Sequence, residues 1–246
     1  MKINTKDDNQ IAHFARTSED WWTPNGPFAP LHKLNPCRIG FLREQIDSHF
    51  GLDCESRTPM KGLSIVDIGC GGGLVCEPLS RLGANVTGVD ADEQAIRVAM
   101  RHSANQGLDI TYIAGAAEDL VATKKTYDVV LALEIVEHVA NVENFTKLCS
   151  SLLNPSGLLI LSTLNRTWKS YVLGIVAAEK IVRWVPAGTH EWQRFLKPSE
   201  LASLVRANGL ELQDVRGMIY NPFKKCFSLS SSNLDVNYFL VAKKPY

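Results

Sequence analysis

Two stretches of the chain place carboxylates, glycines and an imidazole at spacings that can do chemistry. The first is Asp67-Ile68-Gly69-Cys70-Gly71-Gly72-Gly73, with a further acidic residue at Asp90; the second is Glu134-Ile135-Val136-Glu137-His138. Glycines let backbone approach a ligand closely and adopt positive φ, so the first stretch predicts a cofactor loop. In the second, a helix starting at Glu134 would put Glu134, Glu137 and His138 at i, i+3 and i+4, on one face. Two carboxylates and an imidazole can hold a divalent ion, and oxygen-rich ligation favours magnesium or manganese over zinc. The same residues also read as an ordinary acidic helix start stabilised by its macrodipole, with His138 merely packed, and both readings stand open. Without a metal, His138 or His190 is the candidate general base.

Two cofactors compete for the glycine loop. A dinucleotide fingerprint, G-x-G-x-x-G, needs a third glycine where this chain has Leu74, and Asp67 would repel a pyrophosphate lying nearby. A cofactor that carries an adenosine and an amino acid but no phosphate fits better. The loop and the helix start after it favour a carboxylate, and an acidic group nearby attracts a sulfonium or ammonium. Asp90, 21 residues beyond Gly69, can accept hydrogen bonds from both ribose hydroxyls. These residues point to S-adenosylmethionine, and the acidic residue followed by G-x-G-x-G resembles the first motif of the seven-stranded, Rossmann-like methyltransferases. In that fold, Ala117 and Glu118 of "GAAEDL" fall where adenine is met. An NAD-dependent oxidoreductase remains the rival from another class, and a glycine cluster can also be no more than a tight turn.

The elements that must position these groups follow from hydrophobic patterning. "LSIVDIG", "ANVTGVD", "DITYIAG", "YDVVLALE" and "GLLILSTL" read as strands separated by helical segments, the pattern of a parallel sheet covered on both faces. After a helix near Ser199, "LELQDVRGMIY" and "VNYFLVAKK" read as an antiparallel hairpin on the sheet edge. The expected architecture is α/β: a seven-stranded, mostly parallel sheet with an antiparallel C-terminal hairpin. Residues 1–60 form an N-terminal helical cap, broken by the four prolines of "WWTPNGPFAPLHKLNPCR". Residues 61–246 form the catalytic domain, with an inserted helical lid at about 165–195.

Composition narrows the class. Twenty-six basic residues balance twenty-six acidic ones, so nothing global points to nucleic acid. The six cysteines show no Cys-x-x-Cys pair or zinc-like spacing, which suits a reducing, cytoplasmic compartment. The polar start "MKINTKDDNQ" lacks the apolar core of a secretory signal. The longest apolar run, "YVLGIVAA", falls far short of the ~20 residues of a membrane-spanning helix. No Asn-Pro-Pro-Tyr follows the fourth strand, which argues against methylation of nucleobase or amide nitrogen.

"WWTPNGPFAPLHKLNPCR", "DIGCGGG", "EIVEHV", "STLNRTWKSY" and "GTHEWQRFLKPSEL" together resemble the ubiquinone-biosynthesis O-methyltransferases, from about Phe14 to Ala242. The resemblance implies methylation of hydroxyls on polyprenyl-phenol and demethylubiquinol intermediates, with S-adenosylmethionine as donor and magnesium as an open question. It also implies that Arg38 binds the methionine carboxylate, that Gly69 and Asp90 take their places around the methionine and ribose, and that Leu133 contacts the adenosine. Cys37 replaces a commoner leucine in this family, a change in packing. A methyltransferase for another small hydrophobic phenol or lipid is the alternative. The expected partners are the polyprenyl substrate, the inner face of a bacterial inner membrane touched peripherally, and other ubiquinone-biosynthesis proteins. An apolar run between Trp168 and Trp184, flanked by Lys169, Lys180 and Arg183, reads as an interfacial helix or as an active-site lid.

Overall fold

The computed structural model describes residues 5–172 and 191–246. His190 and most of the insertion therefore lie outside the described residues. Five strands alternate with helices as the patterning predicts: β1 (Ser64–Ile68), β2 (Asn85–Asp90), β3 (Thr111–Ala114), β4 (Tyr127–Leu133) and β5 (Leu153–Leu164). They pair in parallel, in the spatial order β3-β2-β1-β4-β5. The chain leaves β1 toward β2 on one side and returns to β4 on the other. Such a switch point opens a crevice at the C-terminal ends of the strands.

Three strands complete the sheet, where the sequence suggested two. β6 (Glu211–Asn221) and β8 (Asn237–Lys243) pair antiparallel as expected, and β8 also pairs antiparallel with β5. Between them in sequence, β7 (Cys226–Ser230) folds back on β6 as an eighth, edge strand. Its residues "CFSLS" carry little apolar signal because an edge strand buries little, and pairing with β6 decides its conformation.

Side-chain alternation along the strands builds two cores, one on each face of the sheet. Val66, Val130, Ala132, Leu159, Leu161, Leu240 and Ala242 belong to one. Their neighbours Ile65, Val129, Leu131, Ile160, Phe239 and Val241 belong to the other. The first core is covered by α5 (Ala117–Ala122), α6 (Val142–Ser151) and α7 (Pro198–Ala207). The second is covered by α2 (Ala29–Phe50), α3 (Cys76–Arg81) and the Ile96 side of α4 (Glu93–Asn105).

The N-terminal cap departs from expectation in one respect. After the short α1 (Asp8–Ala15), α2 runs 22 residues without a break at Pro36. Pro30 falls in its first turn, where the missing N–H costs little. Pro36 lies inside the helix, where a proline costs about 3 kcal/mol. Burial of Leu34, Phe41, Leu42 and Ile46 against the sheet offsets that cost. Phe41 of α2 stacks on Phe239 of β8 with ring centroids 4.4 Å apart, and both are fully buried. Phe239→Ala is expected to lower unfolding free energy by about 3–5 kcal/mol, read as a shift in the urea midpoint.

Candidate active site

The C-terminal end of β1 delivers Asp67 and then the glycine loop. Gly69, Gly71 and Gly73 have φ of +79°, +51° and +86°, a backbone that L-side chains rarely adopt. The close approach is as strict as the dihedral: a Cβ on Gly71 would meet the Trp21 ring at 2.2 Å, and one on Gly69 would meet Ile135 at 2.8 Å. Asp90, ending β2, holds the loop from the other side. Its Oδ2 accepts the Gly71 N–H at 2.8 Å and its Oδ1 accepts the Asp92 N–H at 2.9 Å.

These ends open into a cavity of about 940 Å³. Asp67, Gly69, Gly71, Asp90, Ala117 and Leu133 line it as the sequence suggested. Arg38 reaches it from α2, almost fully buried, with its Nε and Nη2 lacking any hydrogen-bond partner. Burial pushes the guanidinium's pKa down, while Glu134 and Asp67 pull it back up. Asp67 keeps one buried carboxylate oxygen unpartnered as well. Its pKa is raised to about 6, first by burial, against the opposing pull of Arg38. Burial likewise raises Asp90 to about 6, although the backbone N–H groups of Asp92 and Gly71 resist it. A buried cation and a buried anion, each with an unused hydrogen-bonding atom, are chemically matched to an amino-acid zwitterion.

Glu118 departs from the expected wall. Its Oε1 accepts the backbone N–H of Thr5, and the cavity is lined at that corner by Gly115, Ala116 and Ala117. The N-terminal segment claims the carboxylate that adenine was expected to meet.

The acidic cluster also needs correction as a metal site. No helix starts at Glu134: that residue has φ +55°, and only a single 3₁₀ turn, Val136–His138, follows. The three side chains therefore diverge. Glu134 stays in the main cavity, where its carboxylate accepts Ser162 Oγ at 2.7 Å and Asn237 Nδ2 at 3.1 Å from both oxygens. Glu137 points into a second, smaller pocket beside Arg166 and Arg194, and its Oε2 accepts Thr163 Oγ1 at 2.7 Å. Burial first, and then the neighbouring charge of Glu134, push its pKa up from the ordinary carboxylate range. His138 returns to the main cavity, with Nδ1 2.9 Å from Gln10 Oε1. Among the described residues no group of three His, Cys, Asp or Glu side chains converges on one point.

Trp21 and Trp22 take separate roles. Trp22 is an anchor: its indole N–H donates to Gly72 O at 2.9 Å and its ring stacks on His102 at 3.6 Å. Trp21 stacks on Phe28 at 3.8 Å, presses on the glycine loop and lines the cavity. Gln10, Ser162 and Asn237 were not singled out from sequence, and no local signal marks them. Away from the charged end, Leu31, Leu34, Met218, Tyr220, Pro222 and Phe227 make the wall apolar.

Comparison with known proteins points the same way. A family model described as a methyltransferase domain matches residues 42–215. The chain is 48% identical over 240 residues to the ubiquinone biosynthesis O-methyltransferase of Bartonella bacilliformis, covering 98% of this chain and 96% of that protein. It is 44% identical over 241 residues to the protein of the same name from Sinorhizobium medicae, covering 98% and 97%. Among solved structures, the N-methyltransferase NodS from Bradyrhizobium japonicum in complex with S-adenosyl-l-homocysteine superposes with a TM-score of 0.62 at 14% identity, over 97% of this chain and all of that one. Magnesium protoporphyrin IX methyltransferase from Synechocystis with bound SAH gives 0.58 at 19% identity, covering 84% and 81%. These two likenesses establish the fold.

The raised pKa of Asp67 has a consequence for stability. Its folded-state value of about 6 exceeds the ordinary 3.8, so folding favours the protonated form. That contribution is fully present below about pH 4 and is lost as pH rises through about 6. Asp67→Asn removes the buried charge. The ligand-free variant is expected to be more stable than the native protein at pH 8, by at most about 3 kcal/mol, with the difference vanishing near pH 4. Urea unfolding at the two pH values checks this.

Proposed function

Given that the chain belongs to the family of ubiquinone biosynthesis O-methyltransferases, we propose that it methylates hydroxyls of polyprenyl-phenol and demethylubiquinol intermediates with S-adenosylmethionine. The observation that carries the cofactor assignment is Arg38, a buried guanidinium with two unpartnered donors beside Asp67. In this reading Arg38 takes the methionine carboxylate and Asp67 the ammonium. Asp90 accepts from the ribose, and Ala117 and Leu133 flank the adenosine. The apolar wall of Leu31, Met218, Tyr220 and Phe227 receives the acceptor ring and the start of its tail.

The chemistry that follows is an in-line displacement. The acceptor oxygen forms a bond to the methyl carbon as the carbon–sulfur bond breaks, and the electron pair stays on sulfur as a neutral thioether. A phenol holds its proton to a pKa of about 10, so a base must remove it at neutral pH. In this reading His138, which lines the cavity, is the base that takes it. The reaction turns a sulfonium and a phenolate into two neutral products. An apolar, water-poor cavity therefore favours it, since the reactants and not the products need solvation.

Magnesium does not fit the arrangement described. Recruiting Glu134 and Glu137 as ligands would draw them from Ser162, Asn237 and Thr163, and the two face different pockets. No described helix is long and apolar enough to cross a membrane. An acceptor with a polyprenyl tail resides in a bilayer, so the proposed reaction places the enzyme at its surface as a peripheral visitor.

Transfer of labelled methyl from S-adenosylmethionine to a short-tailed, reduced demethylubiquinone tests the reading. Methylated product at the expected hydroxyl supports it; bound cofactor without transfer would point to a different phenol or lipid. His138→Asn is expected to cut kcat by roughly 10²–10⁴-fold while leaving cofactor affinity intact. Arg38→Met should do the reverse, weakening S-adenosylhomocysteine binding by roughly 10-fold to 100-fold in a calorimetric titration.

A further inference from the structure

Arg38 and Asp67 are not alone in keeping an unused hydrogen-bonding atom beside the cavity. Asn237, at the start of β8, is 8% exposed and lines the same cavity. Its amide is not free to turn over. Nδ2 lies 3.1 Å from both oxygens of Glu134, and a carboxylate only accepts, so the NH₂ end must face Glu134. Oδ1 is the end left over. It is buried, and among the described residues nothing donates to it.

The strand order decides which ligand that oxygen can meet. β8 lies between β5 and β6, and Asn237 is in register with Leu164 on one side and Met218 on the other. Residues paired in this way project from the same face, and all three line the cavity. β8 is three strand spacings, about 14 Å, from β1 and its glycine loop. Oδ1 thus belongs to the acceptor end of the cavity and not to the wall around Asp67 and Asp90. A neutral amide oxygen between Leu164 and Met218 suits a neutral donor, since a cation there would lose its hydration against apolar flanks. The mounting is rigid: β8 pairs on both sides, and Glu134 is held in turn by Ser162 Oγ at 2.7 Å.

We propose that Asn237 is a specificity-determining residue whose Oδ1 accepts a hydrogen bond from a second hydroxyl of the acceptor ring. The inference rests on the reading of this cavity as an O-methyltransferase site with the ring against Met218. The hydroxyl that is methylated must give up its proton, so it cannot remain a donor to Oδ1. The partner is therefore a hydroxyl that keeps its proton through the step. A ring with only hydrogen at that position leaves Oδ1 buried and unpaired. An oxidised ring fares worse, because its carbonyl sets an acceptor against an acceptor. Glu134 fixes the amide before substrate arrives, so the preference for a donor is preorganised.

The test compares kcat/KM for two short-tailed acceptors: a ring with two hydroxyls, and the same ring with hydrogen in place of the hydroxyl that is not methylated. The native enzyme is expected to prefer the first by about 10-fold to 100-fold. Asn237→Leu, close in shape, should bring that ratio near one, mainly by raising KM for the two-hydroxyl ring, with S-adenosylhomocysteine affinity unchanged in titration. Ser162→Ala takes a partner from Glu134 but leaves Asn237 in place, and should keep the native ratio. Loss of the Glu134 network alone would not separate these two variants. A native enzyme that treats both rings alike would overturn the assignment, whether or not the variants fold. So would an Asn237→Leu protein that keeps the preference, or one that loses cofactor affinity instead. No transfer to either ring by native protein with bound S-adenosylmethionine would remove the O-methyltransferase reading beneath it, and this inference with it.

Discussion

A buried guanidinium is among the more expensive groups a protein can hold, and the active site is arranged around the cost of keeping Arg38 dry. Two carboxylates, Asp67 from β1 and Glu134 after β4, supply the compensating field, and neither forms an ion pair that would use up the Arg38 donors. A salt bridge made within the protein would be more stable and would leave nothing for a ligand. In the proposed reading, the unspent donors are what the methionine carboxylate of the cofactor meets. Folding stability is thus traded for a preorganised charge, as the unpaired oxygen on Asp67 also indicates.

The same economy explains Glu134. A non-glycine residue at φ +55° costs on the order of 1–3 kcal/mol. Its backbone N–H is held by both Ser162 O, at 3.0 Å, and Ser162 Oγ, at 3.1 Å. With Ser162 and Asn237 on its carboxylate, five contacts over-determine the turn. The left-handed turn sends Glu134 toward Arg38 and lets the chain swing Glu137 to the other side of the loop. A helix at this point would have put both acids and His138 on one face. Repulsion there would have called for a cation, whereas here burial and the charge of Glu134 push the Glu137 pKa up, toward the neutral form.

What could be read from the sequence follows the range of the interactions involved. The glycine loop is visible because positive φ and the press of Trp21 allow no other residue, so a constraint in space is written as a local motif. The central parallel strands are visible because β1, β4 and β5 bury most of their residues, which demands long apolar runs. β7 buries little and is hidden among serines. The continuation of α2 through Pro36 is hidden for the opposite reason, since tertiary packing overrides a strong local signal. The divergence of Glu134 from Glu137 turns on one dihedral, which spacing alone does not report. Asn237 and Gln10 act on residues 103 and 128 positions away, and nothing in their own neighbourhoods marks them.

These ranges also divide the site into two parts with different physical characters. The wall that meets the cofactor is carried by the ends of β1, β2 and β4, whose backbones are locked by pairing on both sides. Gln10, which meets His138 Nδ1 at 2.9 Å, is carried by α1, eight residues long and paired with no strand. A helix that short is unstable alone, so its conformation depends on the Asp7 cap, the Arg194 pair and the Thr5 contacts. Trp21, later in the same N-terminal segment, presses on the glycine loop, and Trp22 donates one hydrogen bond to it while stacking on His102 of α4. The segment that presses on the glycine loop is therefore also the one that contacts His138, so the packing of one short stretch of chain shapes both the floor of the cavity and the surroundings of its imidazole.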